Sequence, residues 1–482
     1  MDRFRKALPI LVLAAAGHLC TAQGIFTAAG PTTVPRLGHT ATLLAGGKVL
    51  IAGGWGDVGS TANPAASAEL YDPASGTFSS TGSMITGRGG HTATLLPDGK
   101  VLIAGGSGAH DPLASAELYD PATGTFTATG AMAEARSGHM AALLLNGKVL
   151  VAGGLGLLSA ELYDPEAGTF SRTADLQIPS YAPNTAILLA GGRVFIGGGG
   201  NSELYDSSSG TFITSGGWST IVTNWPDAQT LLTSGEVLVT GGDANALGSV
   251  VFAGLYDPGT GKFAVTGNMS AARESHVATT LPDGTALITG GQINSGQTVS
   301  AAELYDPAIG GFAPAGSMIT GRCCHTATLL NSGQVLIVGG VAVADAQGYA
   351  SSQPGSPASP ELYSPAVLIA APVLFSLSSD GKGQGAVWDG VSGKVASPSA
   401  PAVAGEILSM YTSGLGNGNL LPPQVAVGGR LAEIQYFGDA PGYPGYSQVN
   451  FRVPDGIPPG SAIPVRLIHL GRSSNEVTIA VN

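Results

Sequence analysis

Charge is scarce in this chain: only 11% of its 482 residues are Asp, Glu, Lys or Arg. What there is leans negative, with a formal net charge of −12. No basic excess is available to build the positive patch that phosphate backbones require, so nucleic acid is excluded as the expected partner. Disorder is excluded as well, because a disordered chain is rich in charge and poor in apolar residues, and here 44% are hydrophobic. Cysteine is nearly missing. The three are Cys20, Cys323 and Cys324, and two of them are neighbours, so no disulfide framework staples the fold. Beyond the first residues no stretch is apolar for the roughly 20 positions that a bilayer demands. Common catalytic signatures are also missing, among them Gly-x-Ser-x-Gly, His-Glu-x-x-His and Ser-x-Asp-x-Gly-x-x-Trp.

The N-terminus differs from the rest. Arg3, Arg5 and Lys6 precede an apolar run from Ala7 to Ala16, and Cys20-Thr21-Ala22 ends in small residues. This is the pattern of an export leader, residues 1–22, cleaved after Ala22. Its apolar run is too short for a membrane span. Leu19 before Cys20 argues against lipid attachment, where a small residue is expected. The mature chain is therefore expected to be secreted, periplasmic or held at the cell surface.

What the chain has in abundance is glycine, 74 residues, and repetition. One unit reads R-x-x-H-T-A-T-L-L-x-x-G-K-V-L-I-A-G-G, then a variable gap, then A-E-L-Y-D-P-x-x-G-T-F. The His recurs at His39, His91, His139, His276 and His325, and Asn184 and Asp227 fill its slot in two degenerate copies. A Tyr follows each gap, at Tyr71, Tyr119, Tyr163, Tyr205, Tyr256, Tyr305 and Tyr363. Self-similarity at this period means stacked units that cannot bury their apolar faces alone. Each unit holds four short apolar runs, A to D, of strand length. Tight turns separate them: Pro97-Asp98-Gly99 between A and B, Asp120-Pro121-Ala122-Thr123-Gly124 between C and D. In such turns Pro presets φ and Gly takes the positive-φ position. Strands A and B are nearly continuous apolar runs, as in sheets covered on both faces. Seven four-stranded sheets stacked around an axis make an all-β, seven-bladed β-propeller, residues 23–367.

The unit resembles the Kelch repeat over residues 24–365. The Gly-Gly pair closing strand B and the aromatic pair flanking six residues, such as Tyr71 and Phe78, carry the resemblance. Phe stands throughout where such repeats usually have Trp. The last copy lacks strand D, and Gly24-Ile25-Phe26-Thr27-Ala28-Ala29-Gly30 aligns with Gly124-Thr125-Phe126-Thr127-Ala128-Thr129-Gly130. The N-terminal strand is therefore expected to close the last blade.

Tight turns A–B and C–D share one face of such a ring; the variable connections D–A and B–C share the other. Binding is expected on the variable face. The resemblance implies pocket-lining roles for Arg36, Arg88, Arg136, Arg273 and Arg322, just before strand A. The competing reading has these arginines bonding neighbouring carbonyls or the repeated Glu69, Glu117, Glu161, Glu303 and Glu361. The recurring His is expected to pack at the start of the inner strand. Blades four and five depart from the repeat, and Tyr181, Trp218, Asn224 and Trp225 offer aromatic and amide groups suited to a sugar or peptide. The pair Cys323-Cys324 replaces Gly89-Gly90 of another blade and is either a strained vicinal disulfide or two thiols.

Residues 368–482 lose the repeat. Alternating runs such as Glu406–Tyr411 and Glu476–Val481 between Gly and Pro turns suggest an immunoglobulin-like β-sandwich. The region resembles an uncharacterised C-terminal domain of exported soil-bacterial proteins. A propeller followed by such a domain is also the plan of galactose oxidase-like copper radical enzymes. These need a Tyr-His pair, a His from the second domain, and a Tyr cross-linked to Cys. No Tyr precedes a His here, and the second domain has only His469, in a strand expected to lie far from the axis. The expectation is therefore a non-enzymatic monomer without metal or cofactor, which binds a glycan, peptide or cell-envelope ligand as carbohydrate or protein partner. A copper oxidase is the alternative.

Overall fold

A computed structural model describes residues 24–56, 63–154, 156–178, 185–198, 201–216, 228–242, 248–293, 296–342, 356–415 and 421–482. The expected export leader lies outside them. Among the described residues no helix is long and apolar enough to cross a membrane. Seven four-stranded antiparallel sheets form the blades. Blade two shows the plan: A is Thr92–Leu95, B Val101–Ala104, C Ala116–Asp120 and D Thr125–Ala128. The blade whose strands A to C are Thr326–Leu329, Val335–Val338 and Glu361–Ser364 takes Ile25–Ala28 as its outermost strand. The register pairs Phe26 with Tyr363.

Burial follows radial position. Strand B is buried at all four positions, Val101 to Ala104, because a neighbouring blade covers each face. Strand A of the same blade, Thr-Ala-Thr-Leu, is only half-buried. It lines the central channel, where no sheet faces it. Strand D is mostly exposed at the rim.

The outer blades are joined by a repeated hydrogen bond. The Tyr119 hydroxyl meets Thr81 of the preceding blade at 2.9 Å, and Tyr163 meets Thr129 at 2.8 Å. Tyr205 with Thr173 and Tyr305 with Thr266 repeat the contact. In two preceding blades Ala stands where these threonines stand, at Ala29 and Ala315. The two tyrosines they face, Tyr71 and Tyr363, are those whose buried hydroxyls have no hydrogen-bond partner. Burial pushes the Tyr363 hydroxyl up to about 12.

Residues 373–481 do not divide into two separate sheets as an immunoglobulin-like sandwich would. Nine strands link into one curled sheet. The cause is the ten-residue strand Arg430–Asp439. Its first residues pair with Gln424–Val427, and the rest, after a bulge between Ile434 and Tyr436, pair with Ser447–Arg452. The curl encloses Leu408, Phe451, Val465, Leu467 and Ile479. The sheet sits on the tight-turn face of the propeller, where Arg430 pairs with Glu166 at 2.5 Å and the Ala371 N–H donates to Asn331.

Ala29→Thr is expected to give Tyr71 the partner that Thr81 gives Tyr119. Satisfying a buried hydroxyl contributes about 1 kcal/mol, so the urea midpoint should rise. An unchanged or lower midpoint would show that the tyrosine–threonine contact does not hold the blades together.

Candidate functional site

The channel has two ends of different chemistry. At the tight-turn end it widens into a cavity of about 1250 Å³. All seven A strands contribute to its wall, including Leu43, Leu95, Leu143, Leu188, Leu231 and Leu329. The curled sheet closes it. Strands Gly460–His469 and Arg472–Ser473 form a hairpin whose turn brings His469, Leu470 and Gly471 into the same wall. His469 thus reaches the channel, contrary to its expected isolation from the axis. A hairpin projects beyond its sheet, which strand alternation alone does not reveal. Burial, then the nearby Arg472 charge, lowers the His469 pKa to about 4.

At the other mouth each blade grips the next. Where the following blade keeps its arginine, the second glycine of the pair donates to that arginine's carbonyl, as Gly54 to Arg88 (2.9 Å) and Gly106 to Arg136 (2.8 Å). The first glycine lies under the following histidine. A Cβ on Gly105 would stand 2.7 Å from His139 Cε1 and 2.6 Å from the Arg136 oxygen, so no side chain fits. The imidazole is then held from its far side. Nε2 of His91 meets Thr40, and that of His139 meets Thr92, each at 3.0 Å. Ala228 and Val277 replace this threonine in two blades, and the hydroxyl comes instead from the residue paired with each across the sheet. Thr240 serves His276 at 2.8 Å and Thr289 serves His325 at 3.0 Å. Burial, then the adjacent arginine charge, lowers the pKa of all five slot histidines to about 3. They are neutral structural rings.

The five arginines are also walled in. Arg36, Arg88, Arg136, Arg273 and Arg322 are at most 1% exposed. Arg88 donates to the carbonyls of Gly105 and Ser115 and to Glu117 at 2.7 Å. Arg136 repeats this with Gly153, Ser159 and Glu161, and Arg322 pairs with Glu361. Their guanidinium groups point into their own blades rather than into a pocket, which corrects the lining role that the resemblance implied. Each Glu in turn accepts backbone N–H bonds, as Glu117 does from Ile85 and Thr86. Tyr181, Trp218, Asn224 and Trp225 lie outside the described residues. The degenerate blades leave one trace. Blade five has lost both ion-pair members, with Asn224 and Gly254 in their places. Blade four keeps Glu203 while its arginine slot is Tyr181. Burial raises the Glu203 pKa, and its carboxylate accepts from the Gln177 N–H.

Trp55 was not singled out by the sequence. It pairs with Leu37, and its ring lies against Gly38 and Gly89, where a Cβ would collide with it. The only sequence signal is its place directly after Gly53-Gly54. Cys323 and Cys324 sit at the same mouth on blade seven as two thiols, the sulfurs 3.3 Å apart.

A copper ion does not fit these residues. No group of three His, Cys, Asp or Glu able to hold a metal occurs among the described residues. The slot imidazoles have Nε2 on threonine and Cε1 against a glycine, which leaves no room for a ligand sphere. His469 lines the cavity at the opposite end of the A strands.

Residues 88–132 match the Kelch motif family. No curated protein sequence matches the chain. Among solved structures, a fungal alcohol oxidase of the AA5 family, in complex with copper, is similar at 18% identity with a TM-score of 0.60. The likeness covers 96% of this chain and 99% of that one. It corrects the expected binding module, which rested on the repeat and its loops alone: the neighbour that spans both domains is an oxidase.

Two outcomes follow from the buried charges. Glu117→Gln leaves Arg88 buried beside a neutral group and is expected to cost about 3–5 kcal/mol in chemical denaturation. Glu203→Gln should cost about 1 kcal/mol or less, since no arginine is stranded; equal losses would refute the paired-charge account. The slot histidines bind protons in the unfolded chain near 6.5 but in the folded one only near 3. Their stability is thus fully present above about pH 6.5 and declines as pH falls toward 3. The fall should begin above about pH 5, before carboxylates titrate, and should be shallower in His91→Gln; an identical slope would exclude the histidines as its source.

Proposed function

We propose that this protein is an oxidoreductase on the alcohol oxidase architecture, with a small alcohol as substrate at the propeller channel. The observation that carries the reading is the hairpin at the tight-turn face. It brings His469, the one histidine of the C-terminal region, to a channel wall formed by seven inner strands. The similarity to a copper alcohol oxidase along nearly the whole of both chains supports the same reading. Burial keeps His469 neutral at neutral pH, the form in which an imidazole nitrogen can hold a ligand. Oxidation of an alcohol by dioxygen needs a redox group to carry two electrons, and the described residues do not fit copper; the reading therefore rests on the architecture and on the place of His469, and copper loading in the test decides whether the protein takes up such a group.

Two accompanying proposals concern where and how the enzyme is built. Arg3, Arg5, Lys6 and the apolar run after them support export across a membrane with loss of residues 1–22. The pairing of Ile25–Ala28 with Glu361–Ser364 supports closure of the ring by the N-terminal strand.

The test is peroxide formation. Purified protein is assayed with galactose and simple primary alcohols, as isolated and after copper loading, with metal content measured in parallel. Alcohol-dependent peroxide is expected, and its loss in His469→Ala at an unchanged melting temperature. Absence of peroxide with every alcohol in both states would overturn the reading.

A further inference from the structure

The loop-rich mouth holds a feature that the oxidoreductase reading does not use. The residue before the slot histidine has a left-handed backbone in five blades. Three of these are glycines, Gly38, Gly90 and Gly138, with φ of 62°, 61° and 60°. Adjacent blades six and seven carry side chains there, Ser275 at 55° and Cys324 at 59°. L-residues rarely adopt this conformation, and strain of this kind gathers at functional positions. Backbone bonds join them in two runs, one through blades one to three and one between blades six and seven. The Gly90 N–H donates to Gly38, that of Gly138 to Gly90, and that of Cys324 to Ser275 at 3.1 Å.

The strained position presents a thiol. Cys324 is exposed, whereas Cys323 beside it is buried. Cys324 Sγ lies 3.3 Å from Cys323 Sγ, and Cys323 Sγ donates toward Gln292 Oε1 at 3.6 Å. The Gln292 amide in turn donates to Glu274 at 3.0 Å. The hydrogen bond to Cys324, and then burial, push the Cys323 thiol well up, so Cys323 stays protonated. The two sulfurs therefore have unequal roles: one meets solvent, and the other waits behind it.

We propose that Cys323 and Cys324 are a thiol–disulfide exchange site whose substrate is a small disulfide such as glutathione disulfide. Cys324, as thiolate, attacks one sulfur of that disulfide. The glutathione S–S bond breaks, one glutathione leaves as thiolate, and a mixed disulfide remains on Cys324. With Cys324 tied up in the mixed disulfide, the hydrogen bond that chiefly holds the Cys323 proton is gone; Cys323 passes that proton to the departing thiolate as its sulfur attacks the Cys324 sulfur, and the second glutathione leaves as thiolate. Two protein thiols are oxidised to one disulfide, and one small disulfide is reduced to two thiols. Neighbouring Cα atoms, about 3.8 Å apart, lie below the usual disulfide span, so the bond is strained and readily reduced. The site is reversible for that reason.

The test uses the full protein, reduced and then titrated with glutathione disulfide, with peptide mass mapping around Cys323 and Cys324. An intramolecular bond is expected, with no glutathione retained. Cys323→Ser should trap one glutathione on Cys324. Cys324→Ser should react roughly tenfold more slowly, because only the buried, protonated thiol remains. A lasting glutathione adduct on the unaltered protein, or both thiols persisting at every ratio of oxidised to reduced glutathione, would overturn the proposal. Neither result depends on alcohol oxidation, so the two readings fail separately.

Discussion

The contact on which the rest depends is the approach of each inner strand's first residues to the glycine pair of the blade before. At Gly105 the imidazole of His139 and the carbonyl of Arg136 occupy the space that any Cβ would need. The second glycine of the pair then donates to that carbonyl. Shape and hydrogen bonding therefore demand the same dipeptide. The histidine must be neutral to lie there, since burial excludes its charge, and a hydroxyl must meet its far nitrogen. That demand explains a detail that looks like drift. When the threonine on strand A is lost to Ala228 or Val277, threonine stands at the paired position on strand B. The hydroxyl is kept, and only the strand that bears it changes.

The second constraint is charge. A fully buried guanidinium is tolerated only when carbonyls and a carboxylate surround it. Arg88 has all of these, and Glu117 is held in turn by two backbone N–H groups. Blade five lacks both members, with Asn224 and Gly254 in their places. Blade four has kept Glu203 without an arginine, and its carboxylate is pushed toward the neutral form instead. Degeneracy in these blades thus changes electrostatics as well as sequence.

The two ends of the channel divide the chemistry. The tight-turn end is lined by leucines, threonines and a few polar side chains, and the curled sheet closes it with a hairpin that puts His469 in its wall. The loop-rich end carries the Trp55 ring, the thiol pair and two strained side chains in adjacent blades. A rigid ring permits this division, because each blade is gripped by its neighbours and the ends can vary without disturbing the stack.

The sequence by itself determined the propeller, the number of blades and the strand order within each. Those features follow from local chemistry that repeats: turns that need Gly, apolar runs of strand length, and a Gly-Gly pair at a constant place. Periodicity made them legible, since seven copies average out the ambiguity of any one. It also left both readings of the arginines open, because the same residue pattern serves a pocket or a buried ion pair. Only the tertiary structure chose between them, by showing where each guanidinium points. The curled sheet and the reach of His469 were likewise hidden. Strand alternation tells which side of a strand is apolar, but not which strands share an edge or how far a hairpin projects beyond its sheet. Those depend on the pairing of residues far apart in the chain, such as Arg430–Asp439 with two different partners. Neither does local sequence show that Cys323 is buried and Cys324 exposed, since Cys323 meets Gln292 of the preceding blade, 31 residues away.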